Sequence, residues 1–316
     1  MRIVITGGAG FIGGHLAKRW IREDHEIFII DCLHDYYTPE RKLQHLKDIK
    51  KAGDFTFHQI NLLEKKATEE LLEKIKPDAV VHLAALPGVA YSISHPLEYV
   101  DYDIKATINI LEASGKANVK KFIFASSSSV YGNKGMQGRV SEEMANSEVI
   151  SPYAASKYSA ESFCHVYKHL YHMEIAILRF FTVYGPWGRP DMAIGTFIRK
   201  LMNGETLPIF DMNNARDYTY IDDIIDGIDK TLHYHGDQTI FNLGHGHPVS
   251  MDELLRELAK HFPHLVTDVL ERRVGDVYST WSDLSKSKAL LGYTPKISFQ
   301  EGIARTVEWA KQYERY

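Results

Sequence analysis

The stretch that decides the fold is Thr6-Gly7-Gly8-Ala9-Gly10-Phe11-Ile12-Gly13, which follows a short apolar run at 2–6. Its glycines lie between a predicted strand and a predicted helix over 10–22. Gly7 permits a tight turn, Gly10 lets a pyrophosphate approach the backbone, and Gly13 lets helix and strand pack closely. The helix N-terminus adds free N–H donors and a partial positive charge. The stretch predicts a dinucleotide-binding loop, and a glycine-rich turn without a ligand is the alternative.

An acidic residue ends the next predicted strand, 26–30, roughly 20 residues beyond the glycines. That residue is Asp31. A carboxylate at this place accepts hydrogen bonds from the adenosine ribose and repels a 2′-phosphate. Asp31 therefore favours NAD over NADP as the cofactor.

The rest of the first half alternates apolar runs with amphipathic stretches. Strands are predicted at 55–59, 78–83 and 121–125, and helices at 64–75 and 96–116. Strands that are apolar on both faces and separated by helices indicate a buried parallel sheet. The predicted fold class is α/β, a doubly wound Rossmann sheet with a smaller C-terminal substrate-binding part.

The pattern loosens after about residue 180, beyond which helices are predicted at 196–202 and 251–261. A strand at 240–243 could rejoin the sheet. No Gly/Ser linker or charge run separates the two halves. We therefore expect a Rossmann domain over 1–180 and a substrate-binding region over 181–316, with an interleaved boundary.

Composition excludes several classes of function. A formal net charge of -4 gives no electrostatic reason to expect nucleic acid or an anionic membrane as partner. No run approaches the length of a membrane-spanning helix, and the N-terminus lacks the apolar region of a signal peptide, so we expect a cytoplasmic protein. The close histidine pairs at 233 and 235 and at 245 and 247 have no neighbouring acid or cysteine at metal-site spacing, so no metal is expected.

A second motif, Ser151-Pro152-Tyr153-Ala154-Ala155-Ser156-Lys157, begins another predicted helix. Ser151 is a suitable N-cap, and Pro152 suits the first helical position. Tyr153 and Lys157 are four residues apart and share one helix face. The lysine ammonium would stabilise the phenolate form of the tyrosine, which could then act as a base. Taken alone, such a face is more often an exposed amphipathic surface.

Four consecutive serines, 126–129, follow the fifth predicted strand. They should lie at the carboxyl edge of the sheet, where ligands of such folds bind. A hydroxyl there can donate to a developing oxyanion or relay a proton. A serine-rich turn without a function is the other interpretation.

With these motifs in place, the chain resembles the extended short-chain dehydrogenase/reductases, and among them the nucleotide-sugar 4-epimerases. The resemblance covers nearly the whole chain and is strongest to UDP-glucuronate 4-epimerases. It rests on TGGAGFIGGHL at 6–16, HLAALPGV at 82–89, SSSSVYG at 126–132, SPYAASK at 151–157, LRFFTVYGPWGRPDMA at 178–193, RDYTYIDD at 216–223 and RRVGD at 272–276.

The resemblance implies roles for individual residues. Tyr153 would be the general base and acid, Lys157 would tune it and bind the nicotinamide ribose, and Ser127 would bridge Tyr153 and the sugar, with Ser128 beside it. The implied NAD-binding residues are Gly7, Gly10, Phe11, Ile12, Gly13, Asp31, Asn61, Leu62, Leu83, Ala84, Ala85, Tyr153 and Lys157. The implied substrate-binding residues are Pro87, Ser127, Ser128, Ser129, Thr182, Arg189, Arg216, Arg273 and Asp276.

The serines also discriminate between reactions. Relatives that dehydrate or decarboxylate carry carboxylates where this chain has Ser128 and Ser129, and hydroxyls cannot replace those groups. The resemblance therefore implies NAD-dependent inversion at C4 of a UDP-sugar, from UDP-glucuronate to UDP-galacturonate. It also implies a homodimer formed through a four-helix bundle.

Three positions depart from the pattern. Ala90 stands where glucuronate epimerases usually have arginine, Asp103 where relatives have asparagine, and Asn61 where they have aspartate. Ala90 leaves open a neutral UDP-hexose or a UDP-N-acetylhexosamine as substrate. A nucleotide-sugar reductase or dehydratase of this fold, and a non-catalytic NAD-binding protein, are the remaining alternatives. We expect NAD binding to survive the changes at 61 and 103.

Overall fold

The computed structural model describes residues 1–271 and 277–313. Seven parallel strands form its central sheet. They are β1 (Arg2–Thr6), β2 (Glu26–Ile30), β3 (Thr56–His58), β4 (Ala79–His82), β5 (Lys121–Ser127), β6 (Glu174–Phe180) and β7 (Ile240–Leu243). Their order across the sheet is β7-β6-β5-β4-β1-β2-β3. The strand order reverses between β1 and β4, and in such folds this switch point creates a ligand crevice.

Helices cover both faces of the sheet. They are α1 (Phe11–Arg22), α2 (Pro39–Lys50), α3 (Lys65–Ile75), α4 (Val89–Ser94), α5 (Pro96–Tyr99), α6 (Ala106–Lys116), α7 (Pro152–Tyr171), α8 (Ala193–Met202), α9 (Ile221–Leu232), α10 (Met251–Ala259) and α11 (Phe299–Tyr313). The side chains of β1 alternate between the layers: Ile3 and Ile5 pack with α1 and α9, and Val4 packs with α3 and α6. This burial on both faces is the reason for the continuous apolar strands.

Smaller elements complete the C-terminal half. Three two-stranded ladders pair Thr182–Tyr184 with Tyr218–Tyr220, Ala215–Arg216 with Val249–Ser250, and Leu207–Ile209 with Thr267–Val269. Short 3-10 turns occupy Ser128–Tyr131, Lys134–Gln137 and Glu142–Met144, and a π-helical segment occupies Ser287–Leu291.

The predicted doubly wound sheet is confirmed, and the strand at 240–243 does rejoin it beside β6. The chain therefore crosses the expected boundary near residue 180 and returns, while the division into two domains stays a prediction. No helix in the described ranges is long and apolar enough to cross a membrane.

Several elements differ from the sequence prediction. The helix predicted over 96–116 has those bounds, but its middle part, Val100–Lys105, winds as a π-helix between α5 and α6. The fifth strand runs two residues farther than expected, to Ser127. The prediction also lacked β6, α2, α9 and α11. Helical periodicity over a window of sequence indicates a helix, but it does not distinguish an α-helix from a short π-helical segment within one.

Candidate active site

The glycine-rich loop lies at the carboxyl end of β1, with Gly7 at φ +67°. A Cβ atom on Gly7 would lie 2.7 Å from the Ala84 backbone nitrogen, and one on Gly13 would lie 2.6 Å from the Gly7 carbonyl oxygen. Gly10 caps α1 without a side-chain hydrogen bond, and the first turn has no acidic residue. The backbone N–H groups of this turn are therefore suited to an anion such as a pyrophosphate.

Asp31 is buried at the end of β2. Its carboxylate accepts hydrogen bonds from the backbone N–H groups of Leu33 at 2.8 Å and Ala9 at 3.2 Å. Each carboxylate oxygen retains capacity to accept another bond, as contact with two ribose hydroxyls requires. Asn61 Oδ1 accepts from the Leu63 N–H at 3.0 Å, which fixes the loop after β3.

The segment after β4 forms the cavity wall beside the glycine-rich loop. The Ala84 N–H donates to Thr6 Oγ1 at 3.3 Å, and the Leu86 N–H donates to Asp103 Oδ1 at 2.7 Å. The Tyr99 hydroxyl donates to the Pro87 carbonyl oxygen at 2.9 Å. These bonds hold the wall from behind.

Tyr153 and Lys157 lie in the first turns of α7. Ser151 caps the helix by accepting from the Ala154 N–H at 3.1 Å, as the sequence predicted. Lys157 is 5% exposed, and its Nζ atom lies 5.9 Å from the centre of the Tyr153 ring. The ammonium donates to the Ala125 carbonyl oxygen at 3.1 Å. Tyr153 and Lys157 therefore lie at the end of β5, beside the serine cluster.

The serine cluster divides into two parts. Ser126 donates to the buried Glu161 carboxylate, away from its neighbours. Ser127 Oγ donates to Ser129 Oγ at 3.1 Å and accepts from the Ser129 N–H at 3.1 Å. Ser127 and Ser128 are each 8% exposed. The three hydroxyls at 127–129 share one cavity wall with Tyr153.

The proposed sugar side of the site is built from later elements. Thr182 starts a short strand that pairs with Tyr218–Tyr220. Arg189 makes a two-pronged ion pair, Nε to Asp191 Oδ1 at 3.0 Å and Nη2 to Asp191 Oδ2 at 2.9 Å. Arg216 donates to the backbone oxygens of Val277 at 2.7 Å and Tyr278 at 3.1 Å.

A continuous cavity of about 760 Å³ joins these parts. Its size suits an extended ligand held by a few polar groups in an apolar lining. The site residues predicted from the sequence all line it, apart from Arg273 and Asp276, which lie outside the described residues. The lining includes Gly7, Gly10, Phe11, Ile12, Gly13, Asp31, Asn61, Leu62, Leu83, Ala84, Ala85, Pro87, Ser127, Ser128, Ser129, Tyr153, Lys157, Thr182, Arg189 and Arg216.

Sequence reasoning missed two groups beside the proposed sugar region. The Tyr36 hydroxyl donates to Asp191 Oδ2 at 3.0 Å across 155 residues of chain. Burial, followed by Asp191, raises the pKa of Tyr36 above its ordinary value, so the hydroxyl stays protonated at neutral pH. No motif spacing links positions 36 and 191, so only the fold brings them together.

A buried titratable group, His82, lies close to Lys157. Both ring nitrogens of His82 are hydrogen-bonded to hydroxyl groups: Nδ1 to Thr6 Oγ1 at 2.6 Å and Nε2 to Thr107 Oγ1 at 3.0 Å. Burial first, and Lys157 second, lower the pKa of His82 to about 3. His82 is therefore neutral at physiological pH. Among the described residues, no three His, Cys, Asp or Glu side chains form a potential metal site.

Comparisons with known proteins agree with this fold. A model of the NAD dependent epimerase/dehydratase family matches residues 3–244. A UDP-glucuronate 4-epimerase of Thermodesulfobacterium geofontis is 39% identical over 98% of this chain and 96% of its own. The structure of a UDP-glucuronic acid 4-epimerase from Bacillus cereus, in complex with UDP-glucuronic acid and NAD, superposes with a TM-score of 0.93 at 35% identity over 99% of both chains. A UDP-glucose 4-epimerase from Thermotoga maritima with UDP-glucose gives 0.88 at 29% identity over 100% of both chains.

Proposed function

Since the chain belongs to the NAD dependent epimerase/dehydratase family, we propose that it inverts C4 of a UDP-sugar, converting UDP-glucuronate to UDP-galacturonate. The observation that carries the proposal is the arrangement of Tyr153, Lys157 and the Ser127–Ser129 wall around one cavity. The similarity to UDP-glucuronate 4-epimerases over nearly the full length supports it.

The cavity residues fit a nicotinamide dinucleotide. The uncapped first turn of α1 and the close approach at Gly7 and Gly13 suit its pyrophosphate, and Asp31 suits the adenosine ribose. When bound, NAD supplies a reversible hydride acceptor next to the sugar. The Lys157 ammonium would hold the nicotinamide ribose.

In the proposed reaction, the Tyr153 phenolate would take the proton of the sugar C4 hydroxyl, and bound NAD would supply the acceptor for the C4 hydride. Ser127 would turn its hydroxyl from Ser129 toward the sugar and donate its one hydrogen bond to the oxygen at C4. The keto sugar then turns over within the cavity, hydride returns to the other face of C4, and Tyr153 returns the proton. Because both the hydride and the proton return to the sugar, one turnover consumes no cofactor.

The Ser127–Ser129 wall narrows the reaction to epimerisation. Elimination of water across C5 and C6 needs a carboxylate base beside C5, and that wall presents three hydroxyl groups. Inversion at C4 needs no second acid or base beyond Tyr153. The wall thereby supports the 4-epimerase over a dehydratase.

A neutral UDP-hexose is the second candidate substrate. Two observations favour it: Ala90 presents only a methyl group to the cavity, and the Arg189 guanidinium is already paired with Asp191. A sugar carboxylate would have to share Arg189 with that carboxylate. Thr182 and Arg189 remain the proposed contacts for the C5 substituent.

The test is to incubate the purified protein with UDP-glucuronate, UDP-glucose and UDP-N-acetylglucosamine in turn and to separate the products. We expect a new UDP-galacturonate peak, with no net change in the absorbance of reduced nicotinamide. Tyr153→Phe should lower the rate by about 10²–10⁴-fold. Undiminished turnover in that variant, or net reduction of NAD, would overturn the proposal.

The family resemblance further leads us to propose a homodimer that pairs α7 and the helical segments at 96–116 with their copies. Exposed apolar side chains on these neighbouring segments support it: Leu97 is 77% exposed, Leu170 60%, Val100 49% and Val166 49%. Sedimentation velocity at micromolar concentration should give twice the mass of one chain, and a monomer there would contradict the proposal.

We also propose a cytoplasmic location. Cys32 and Cys164 are both free thiols. Burial is the largest cause that raises the pKa of each, so neither is primed for oxidation. This pattern suits a reducing compartment, and fractionation of cells would test it.

A further inference from the structure

Asp103 lies inside the π-helical segment Val100–Lys105, behind α7, the helix that carries Tyr153 and Lys157. It is 1% exposed. Its Oδ1 atom accepts from the Leu86 N–H at 2.7 Å, and its Oδ2 atom accepts from the Ser156 hydroxyl at 3.0 Å. The same Oδ2 atom lies 4.0 Å from Lys157 Nζ. The buried Asp103 carboxylate thus contacts the Leu86 backbone in the cavity wall and Ser156 in α7, and it lies beside the Lys157 ammonium.

The other groups around Lys157 carry no net negative charge toward it. Its ammonium donates to the Ala125 carbonyl oxygen, and the Phe124 ring lies 5.3 Å away. His82 beneath it is neutral because burial and Lys157 depress its pKa to about 3. Glu161, one turn farther along α7, is bound by Arg179 at 2.7 Å.

Apart from Lys157, the groups around Tyr153 are also either neutral or paired with an opposite charge. The Tyr99 ring packs edge-on, with centroids 6.0 Å apart, and its hydroxyl donates to the Pro87 and Gly88 carbonyl oxygens. Arg189 approaches with its guanidinium bound by Asp191. Among the described residues, Asp103 is the carboxylate placed to act on Tyr153 through Lys157.

We propose that Asp103 is a positioning residue that serves as the counter-ion of Lys157 and limits how far the ammonium stabilises the Tyr153 phenolate. The inference rests on the proposed role of Tyr153 as base. Two charges about 4 Å apart interact strongly in a partly buried site, so the carboxylate offsets much of the ammonium field beyond it. A neutral residue at 103 would leave that field directed wholly at Tyr153.

Burial is the main cause that raises the pKa of Asp103, while Lys157, the Leu86 N–H and the Ser156 hydroxyl act against it. Three favourable partners around a buried carboxylate are the arrangement expected for a group that stays ionised. The same contacts also fix the Leu86 segment, so a purely structural role for Asp103 predicts a loss of stability without a change in proton affinity at Tyr153.

The test compares wild type with Asp103→Asn as holoenzymes. Asparagine keeps the shape and an acceptor for the Leu86 N–H, and removes the charge. The acid limb of kcat/KM against pH should move to lower pH by about 0.5–1 unit. Asp101→Asn is the matched control: it lies two residues away, is 53% exposed and pairs with Lys105, so its profile should match wild type.

A second readout needs no turnover. Difference absorbance of the phenolate, taken between each holoenzyme and its Tyr153→Phe counterpart, follows the tyrosine itself during a pH titration. We expect the midpoint of this titration to shift to lower pH in Asp103→Asn. If the asparagine variant does not fold, Asp103→Ser should show the same shift.

The outcomes separate the two proposals. An inactive Tyr153→Phe variant together with an unmoved pH profile and phenolate midpoint in Asp103→Asn would overturn the counter-ion role alone. Full activity of Tyr153→Phe would overturn the proposed function instead.

Discussion

At the scale of single residues, the ion pair between Arg189 and Asp191 sets the charge in the part of the cavity where we propose that the sugar binds. The Arg189 side chain is 22% exposed, and its guanidinium is held at two points by the Asp191 carboxylate. Burial is the largest single influence and lowers the pKa of Arg189, but Asp191, Tyr36 and Tyr153 together raise that pKa above its ordinary value, so the group stays charged. Under the proposed function, substrate choice should depend on how completely Asp191 neutralises the Arg189 charge.

Replacing Arg189 by alanine should weaken the use of a carboxylated sugar more than that of a neutral one. A hydrogen bond to a charged group contributes about 1.5–3 kcal/mol, so kcat/KM for UDP-glucuronate should fall about 10- to 100-fold more than for UDP-glucose. Steady-state kinetics with both substrates measure the ratio.

Asp191→Asn is the opposite control for the same pair. It keeps the arginine and removes the competing charge, so the preference for UDP-glucuronate should rise. Equal losses on both substrates in Arg189→Ala, with no change of preference in Asp191→Asn, would contradict a contact between Arg189 and a sugar carboxylate.

At the scale of elements, the start of α1 depends on the absence of a side chain at its third residue. Gly13→Ala would place a Cβ atom 2.6 Å from the Gly7 carbonyl oxygen and 2.7 Å from the Gly8 Cα atom, both backbone. Relief requires the helix to move away from the loop, at a cost of about 1–3 kcal/mol. We expect the NAD content of the purified protein, measured after denaturation, to fall sharply.

Gly195 offers a matched control, because it is the third residue of α8 as Gly13 is of α1. A Cβ atom there would meet only the Arg189 carbonyl oxygen, at 3.3 Å. Gly195→Ala should therefore retain NAD. Equal NAD content in the two variants would show that close packing at Gly13 is not what shapes the loop.

The sequence predicted those elements whose cause is local. The glycine spacing, the apolar runs of β1 to β5 and the Ser151 cap all depend on near neighbours, and each is present in the structure. The π-helical winding at Val100–Lys105, where Asp103 contacts Ser156 of α7, was not predicted from the apolar periodicity of the sequence. The contact between Tyr36 and Asp191 joins elements far apart in sequence, and only tertiary structure creates it.

At the scale of the whole molecule, buried histidines make stability depend on pH. His82 and His45 are 1% and 2% exposed, and burial is the largest cause that depresses both pKa values, that of His82 to about 3. In the unfolded chain each binds a proton near its ordinary pKa of 6.5. The unfolded state thus binds more protons below that pH, so stability is present at neutral pH and lost on acidification.

Each such histidine should lower the free energy of unfolding by about 1.4 kcal/mol per pH unit below pH 6. Urea denaturation at pH 7, 6 and 5 measures the slope. His82→Gln should reduce the slope by one histidine's share, whereas His247→Gln, an exposed loop position, should leave it unchanged. The same slope in all three proteins would rule out His82 as a source of acid sensitivity.

The return of the chain to place β7 beside β6 has a consequence for biosynthesis. The edge of β6 acquires its partner only when residues 240–243 have left the ribosome, some 60 residues after β6 itself is complete. Until then the nascent chain displays an apolar strand with unpaired backbone groups, the kind of edge that other chains can join. A premature stop between 181 and 239 would therefore yield a fragment prone to aggregate, not a free-standing NAD-binding unit.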